Sequence, residues 1–161
     1  MLPVSGIICD SIRCMQAVIF IGIQGSGKTT FFKEIFFNTH LRVSLDLFRT
    51  RNREEKFLQT CFDTAMRFVV DNTNPTIQDR QRYISRAKAA HFKVTGYFFD
   101  STLEEALFRN SLRKGKEIIP EKGIRATRNK LVEPSLKEGF DELYRVTLNK
   151  QGLFVVEEFN R

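Results

Sequence analysis

The chain has 161 residues, which is the length of one ordinary domain. Hydrophobic residues make up 42% of it and charged residues 28%, a composition that excludes a disordered or fibrous protein. The net charge of +7 indicates a surface that attracts phosphate-bearing partners, either nucleotides or nucleic acid. Eight of the lysines and arginines fall between Arg109 and Lys130, where only two glutamates oppose them.

The sequence predicts neither a membrane anchor nor a secretory signal. The longest apolar run, from Ala17 to Ile23, is far shorter than the ~20 residues of a membrane-spanning helix. The N-terminus lacks a charged region followed by an apolar region and a cleavage site. The three cysteines are odd in number and lack the spacing of metal ligands, which is typical of free thiols in a reducing compartment. We therefore expect a cytoplasmic protein without a membrane partner.

Strand and helix patterns alternate along the chain. Apolar, β-branched segments predict strands at 16–21, 41–44, 68–70, 92–99, 143–148 and 153–159, with a turn at 150–152. Helical patterns cover 29–37, 46–66 with a break near Asn52, 77–91, 103–114 and 121–132. This alternation predicts an α/β fold, a three-layer sandwich whose mostly parallel central sheet is flanked by helices. One domain would cover residues 15–161 with a helical lid over about 103–133, and residues 1–14 would form a mobile extension.

The turn after the first strand, Gly22-Ile23-Gln24-Gly25-Ser26-Gly27-Lys28-Thr29, matches the pattern G-x-x-x-x-G-K-[ST] at every position. Its glycines let backbone N–H groups turn inward around phosphate oxygens, and the following helix directs its positive end at the same anion. Lys28 would reach the β- and γ-phosphates of ATP, and the Thr29 hydroxyl would ligate Mg²⁺. The motif predicts a P-loop NTPase-type fold and an ATP site formed by Gly22, Gln24, Gly25, Ser26, Gly27, Lys28, Thr29 and Thr30.

The rest of the sequence favours transfer of the γ-phosphoryl group over a GTPase switch. The stretch Asn129-Lys130-Leu131-Val132 begins like a guanine-binding N-K-x-D motif but lacks its aspartate. The chain is also too short for the additional domains of most motor or transport ATPases. We therefore predict a phosphotransferase whose acceptor site lies at the carboxyl edge of the sheet, where ligands of open parallel sheets bind.

Two aspartates follow predicted strands at that edge. Asp46 is placed to accept the proton of an attacking hydroxyl, and Arg49 is placed to hold a phosphate of the acceptor. Local chemistry leaves a second interpretation equally open, in which Asp46 caps a helix and Arg49 is solvated. Asp71 ends the third strand, where a carboxylate would support Mg²⁺ or its waters. Asn72 and Asn74 are interpreted as turn residues.

Arg109 and Arg113 are four residues apart on a predicted helix, so we expect both guanidinium groups on one face. Such planar forks would close over ATP and neutralise charge as the γ-phosphoryl group departs. The alternative is a solvated basic helix face. We predict Lys28, Asp46, Arg109 and Arg113 as the catalytic residues.

In their order, these motifs resemble the 5′-kinase module of polynucleotide kinases, a group of AAA-type small P-loop kinases that includes phage polynucleotide kinase and the kinase part of polynucleotide kinase–phosphatases. The resemblance rests on Gly-x-x-Gly-Ser-Gly-Lys-Thr, Ser-x-Asp-x-x-Arg, Val-Val-x-Asn-Thr-Asn-Pro and Arg-x-x-x-Arg, and it covers about 16–146. It implies transfer of the γ-phosphoryl group of ATP to the 5′-hydroxyl end of DNA or RNA. By this resemblance Asp46 is the general base, Arg49 the ligand of the acceptor phosphate, and Arg109 and Arg113 the lid arginines.

Two other functions stay open. Small-molecule kinases and zeta-toxin-like kinases share the phosphate-binding loop and a similarly placed aspartate. A domain of this kind can also be an ATP-binding regulatory module without turnover. The basic net charge and Arg49 favour an acceptor that carries phosphate, so the 5′-hydroxyl end of a nucleic acid is the leading prediction.

Overall fold

A six-stranded sheet forms the centre of the computed structural model, which describes residues 15–159; the extension predicted for residues 1–14 lies outside them. The strands are β1 (Gln16–Ile21), β2 (Leu41–Val43), β3 (Phe68–Val70), β4 (Lys93–Phe99), β5 (Glu142–Leu148) and β6 (Phe154–Glu158). They lie in the order β2-β3-β1-β4-β5-β6. All neighbours pair in parallel except β5 and β6, which are antiparallel. The predicted mostly parallel sheet is confirmed.

Helices lie on both faces of the sheet and at its carboxyl edge. They are α1 (Lys28–Phe31), α2 (Leu45–Phe48), α3 (Arg51–Asp63), α4 (Ile77–Ala89), α5 (Leu103–Ser111) and α6 (Glu121–Lys130). A π-helical turn, Phe32–Phe36, continues α1, and short 3₁₀ turns cover Gly115–Glu117 and Leu136–Glu138. No helix within residues 15–159 is long and apolar enough to cross a membrane.

β1 is buried on both faces, which explains why its sequence is almost continuously apolar. Ala17, Ile19 and Ile21 pack with apolar side chains of α3 and α4 on one face of the sheet. Val18 and Phe20 pack on the other face, against α1 and its π-helical turn. This alternation of side chains produces the three layers that the sequence predicts.

Aromatic rings attach α1 to the sheet. Phe31 and Phe36 lie against Phe20 and Tyr97, and Phe31 also contacts Phe99. These ring centroids are 5.4–5.9 Å apart, in tilted or edge-to-face arrangements. Such pairs add about 0.5–1.5 kcal/mol each to the effect of burial. The helix that follows the phosphate-binding loop is therefore fixed on the sheet.

A smaller apolar cluster joins α5 and α6 to the segment that follows β1. Ile23, Ala106 and Ile124 are buried against one another there. Four partly buried side chains complete the cluster: Leu103, Leu107, Ile119 and Leu131. The region predicted as a lid thus packs on the phosphate-binding loop, while its role as a lid stays a prediction.

The helix predicted over 46–66 is two helices, α2 and α3, and the break lies at Arg49 and Thr50 rather than near Asn52. Arg49 has a left-handed backbone, with φ of 64°, which ends α2. Thr50 then caps α3, since its Oγ1 accepts a hydrogen bond from the backbone N–H of Arg53.

A buried ion pair fastens α4 to the segment beyond α6. Arg80 is fully buried and donates through Nε and Nη2 to the two carboxylate oxygens of Glu138, at 2.6 and 2.8 Å. Its Nη1 also donates to three backbone carbonyls, those of Asn74, Pro75 and Val132. One side chain therefore joins α4, the turn after β3 and the chain beyond α6.

We expect Arg80→Met to lower the free energy of unfolding by about 3–5 kcal/mol, because it leaves a buried carboxylate without its cation. The control is Arg82→Met on the same helix, where the side chain is exposed and the change should stay within about 0.5 kcal/mol. Urea denaturation followed by circular dichroism measures both variants. A loss no larger than that of the control would contradict the structural role of Arg80.

Candidate active site

Side chains from separate parts of the sequence meet in one cleft at the carboxyl edge of the sheet. The cleft has a volume of about 510 Å³. It is lined by the phosphate loop (residues 22–29), the start of α2, the turn after β3 and the segment after α5. Nine of the predicted site residues line it: Gln24, Gly25, Gly27, Lys28, Thr29, Thr30, Asp46, Asp71 and Arg113.

The phosphate loop has the open backbone that its glycines predict. Gly25 and Gly27 have φ of 79° and 95°, values that disfavour any side chain. A Cβ atom at Gly25 would lie 2.6 Å from the carbonyl oxygen of Ala106. The backbone N–H of Gly22 donates to the carbonyl of Thr73 at 2.9 Å, which ties the loop to the turn after β3. The loop therefore fits the backbone cradle that a phosphate chain requires.

Lys28 is buried at the base of this loop. Its Nζ donates to the carbonyl oxygens of Gly22 and Ile23 at 2.9 and 2.6 Å. Burial lowers the pKa of Lys28 to about 8; Asp71 opposes this shift, Arg113 adds to it, and Asp46 opposes it. These three charged side chains thus lie within electrostatic reach of the ammonium group.

Asp71 directly follows β3 and is buried beside Thr29. Its Oδ2 accepts a hydrogen bond from Thr29 Oγ1 at 3.0 Å. A hydroxyl and a carboxylate fit Mg²⁺, which takes one or two such ligands together with phosphate oxygens and water. Within residues 15–159 no cluster of three or more His, Cys, Asp or Glu side chains could hold a metal by itself. Thr29 and Asp71 would therefore bind the ion jointly with the nucleotide.

Arg42 belongs to the same group, although the sequence patterns do not identify it. From β2, its Nη2 lies 2.7 Å from Asp71 Oδ2 and donates to Thr29 Oγ1 at 3.3 Å. The guanidinium group neutralises a carboxylate that is almost fully buried. The signal in the sequence is a single charged residue between Leu41 and Val43, in a strand that is otherwise apolar.

Asp46 lies in α2 and is exposed to the cleft. The N-cap of α2 is Ser44, so the interpretation of Asp46 as a helix cap is wrong.

The backbone N–H of Leu45 donates to Asn72 Oδ1 at 2.9 Å, so the turn after β3 holds the start of α2. Asn74 donates to the carbonyl of Phe20 at 2.7 Å. Both asparagines have the turn role that the sequence favours, and Asn72 also positions α2.

Arg49 is exposed and does not line the cleft, unlike Asp46. Its left-handed backbone follows the last residue of α2, a helix of only 4 residues. Asp46 therefore lies inside α2, whereas Arg49 lies beyond its last residue. Contact of Arg49 with an acceptor phosphate stays a prediction.

Arg113 also departs from the predicted helix. α5 ends at Ser111. Just before this end, Asn110 Oδ1 accepts a hydrogen bond from the N–H of Ile119, and Asn110 Nδ2 donates one to the carbonyl of Ile119, so the chain turns back here. The expectation that Arg109 and Arg113 share a helix face is therefore wrong. Arg113 instead follows the helix and lines the cleft.

Arg109 contacts the phosphate loop from outside the cleft. Its Nη1 donates to the carbonyl of Gly25 at 2.7 Å and to Ser101 Oγ at 3.0 Å. It lines a separate cavity of about 210 Å³ together with Ser26 and Phe154.

Gln24 lines the main cleft, and its amide donates to Thr127 of α6 at 3.0 Å.

A phosphate loop between a central parallel strand and a helix defines the P-loop nucleotide-binding fold, and solved structures confirm it. A structure of AvrRxo1-ORF1:-ORF2 with ATP has a TM-score of 0.67 and 15% identity, covering 95% of this chain and 59% of that chain. A gluconokinase from Sinorhizobium meliloti 1021 has a TM-score of 0.61 and 15% identity, over 84% and 83%. The Pnkp1/Rnl/Hen1 complex has a TM-score of 0.51 and 19% identity, over 68% and 43%.

Two curated relatives indicate a narrower class of protein than the fold does. The chain is 26% identical over 135 residues to the bifunctional polynucleotide phosphatase/kinase of Schizosaccharomyces pombe, covering 81% of this chain and 33% of that protein. A second relative of the same description, from Acanthamoeba polyphaga mimivirus, is 26% identical over 142 residues, which is 84% of this chain and 34% of that protein. The chain thus spans about a third of the length of these relatives. No protein-family model matches the chain. The predicted resemblance to polynucleotide kinases is confirmed by these two relatives.

We expect ATP binding to weaken as the pH rises above about 8. The pKa of Lys28 is lowered to about 8, so its amine is charged below that pH and neutral above it. The dissociation constant for ATP should be nearly constant from about pH 7 to 8 and then rise up to about tenfold per pH unit. Isothermal titration calorimetry measures this dependence, since the chain has no tryptophan to report it.

The control for this measurement is Lys28→Arg, whose guanidinium group stays charged over the whole range. It should bind ATP more weakly than the wild type, with a dissociation constant that does not change above pH 8. A wild-type curve as flat as that of the variant would contradict a role of the Lys28 charge in binding phosphate.

Proposed function

We propose that the protein is an ATP-dependent kinase that transfers the γ-phosphoryl group to the 5′-hydroxyl end of DNA or RNA. The observation that carries this proposal is one cleft that combines the phosphate loop, the Thr29–Asp71 pair and the exposed carboxylate of Asp46. The relatives named as polynucleotide phosphatase/kinases support a nucleic-acid acceptor. The net charge of +7 agrees with a polyanionic partner.

In this reaction each side chain acts on a different part of the reactants. Lys28 and the loop amides hold the β- and γ-phosphates of ATP. Thr29 and Asp71 would hold Mg²⁺, which would neutralise phosphate charge. Asp46 orients the acceptor hydroxyl and accepts its proton while the oxygen bonds to the γ-phosphorus. Arg113 offsets the negative charge that develops as the bond to the bridging oxygen of ADP breaks.

Arg109 and Arg49 have supporting roles in this proposal. Arg109 fixes the carbonyl of Gly25 and thereby the loop that holds ATP. Arg49 is exposed next to α2 and would contact the acceptor strand outside the cleft. The cytoplasmic location and the lid over about 103–133 remain predictions from the sequence.

A small-molecule kinase is the second candidate. The observation that favours it is the fold of a gluconokinase, which matches 84% of this chain and 83% of its own. The cleft of about 510 Å³ is also large enough for a sugar acid beside a nucleotide phosphate chain. The acceptor decides between the two candidates, because both use the same donor.

We expect Asp46→Asn to lower kcat about 10²–10⁴-fold and to leave the dissociation constant of ATP unchanged, because the carboxylate acts on the acceptor and not on the donor. Asp63→Asn, an exposed carboxylate at the end of α3, is the control and should behave as the wild type. The assay follows labelled phosphate from ATP to 5′-hydroxyl oligonucleotides, with gluconate and other small alcohols in parallel.

Three results of this assay would contradict the proposal. Transfer to small alcohols without transfer to oligonucleotides favours the small-molecule kinase. ATP binding without transfer to any acceptor favours a regulatory module. Full oligonucleotide kinase activity of Asp46→Asn would remove the assigned role of this carboxylate.

A further inference from the structure

Arg51, the first residue of α3, lines the same cleft as Asp46. Its Nη1 donates to Glu54 Oε2 at 2.8 Å and to the hydroxyl of Tyr83 at 2.7 Å. Even so, 45% of its side chain is exposed. Within residues 15–159, its Nε and Nη2 donate no hydrogen bond. The guanidinium group is therefore fixed through one nitrogen, and its other donors remain available.

The side chains that fix Arg51 also hold α2. Glu54 Oε1 is buried and accepts from the hydroxyl of Tyr83 at 2.8 Å and from Asn72 Nδ2 at 3.0 Å. Asn72 in turn accepts from the backbone N–H of Leu45, the first residue of α2. Burial and the charge of Glu54 raise the pKa of Tyr83 to about 12, so its hydroxyl keeps its proton. One buried network thus connects the guanidinium group to the helix that contains Asp46.

This arrangement suits the binding of a phosphate group. The Nε–Nη2 edge of a guanidinium presents two parallel donors that match two phosphate oxygens. Because Glu54 and Tyr83 already order the side chain, binding an anion costs less conformational entropy than it would for a free arginine. Arg49, in contrast, is exposed outside the cleft and no hydrogen bond within residues 15–159 orders its side chain.

We propose that Arg51 binds an internucleotide phosphate of the acceptor strand, an inference that rests on the proposed function. A strand whose terminal hydroxyl reaches Asp46 enters the cleft that Arg51 lines, and its phosphodiester groups are the anions that it brings. Arg51 is then a substrate-binding residue that favours polynucleotides over neutral alcohols. The sequence alone did not distinguish it from the other arginines.

The first test is direct binding of a 3′-labelled, 5′-hydroxyl oligonucleotide, followed by fluorescence anisotropy at several salt concentrations. Arg51→Gln should weaken binding about tenfold, the value of one charge-assisted contact. It should also lower the slope of log Kd against log salt by about 0.7, because one fewer phosphate is neutralised on a single strand. ATP affinity should not change. Arg53→Gln is the matched control, an exposed arginine of α3 that does not line the cleft.

The second test identifies the phosphate. Oligonucleotides with one neutral methylphosphonate at the first, second or third linkage from the 5′ end are compared in transfer assays. One of these substitutions should raise the wild-type KM about tenfold and leave the KM of Arg51→Gln unchanged, while kcat changes little in either protein. If Arg51 had a purely structural role, the methylphosphonate would raise the KM of Arg51→Gln as much as that of the wild type. The free-energy losses from the substitution and from the methylphosphonate would then add.

Glu54→Gln/Arg51→Gln keeps the proposal testable if Arg51→Gln alone is unstable, because this double variant also removes the buried carboxylate charge. It should fold, bind ATP as the wild type does, and show the same loss of oligonucleotide affinity as Arg51→Gln. Wild-type oligonucleotide binding and KM in a folded variant would overturn the inference and leave the proposed function intact. Failure of the wild-type protein itself to bind or phosphorylate oligonucleotides would overturn both.

Discussion

The burial of β1 on both faces is the constraint on which the rest of the site depends. Because this strand is fixed from above and below, the loop that follows it begins at a defined point at the carboxyl edge of the sheet. The rings around Phe31 fix the other end of the loop by holding α1 on the sheet. With both ends fixed, the glycine backbone keeps an open shape that would be strained in most other residues.

Arginines compensate three buried carboxylates in the part of the protein that the structure describes. Arg42 pairs with Asp71, Arg51 with Glu54 and Arg80 with Glu138, and each carboxylate is almost fully buried. A buried carboxylate without a cation is costly, so the pairs of Asp71 and Glu138 fix the relative positions of the segments that supply them. Arg51 and Glu54 both belong to α3. Lys28, by contrast, is held mainly by carbonyl oxygens, and its burial lowers its pKa. Within residues 15–159 no salt bridge neutralises its charge, which the proposed function assigns to binding the phosphates of ATP.

Much of the fold could be predicted from local patterns. The continuous apolar run of β1 and the strands that alternate with helices predict a parallel sheet, and the phosphate loop predicts what lies at its edge. The break between α2 and α3 is predicted but misplaced, because the left-handed backbone of Arg49 has no signature in its residue type. The predicted end of α5 is also misplaced, because the side chain of Asn110 hydrogen-bonds Ile119, nine residues further along the chain, and the helical pattern does not reveal this contact.

The sequence by itself determined the phosphate loop, because this loop is one continuous segment whose residue spacing sets the shape of its backbone and the position of Lys28. It also named Asp46 and Asp71, since strand ends can be located from the apolar runs that precede them. Only the tertiary structure decided which arginines share the cleft. Arg51 and Arg113 line it and Arg49 does not. The physical reason is that a guanidinium group is placed by the path of the backbone and by the partners that orient it. Tyr83 of α4, which orients Arg51, lies 32 residues from it in the sequence.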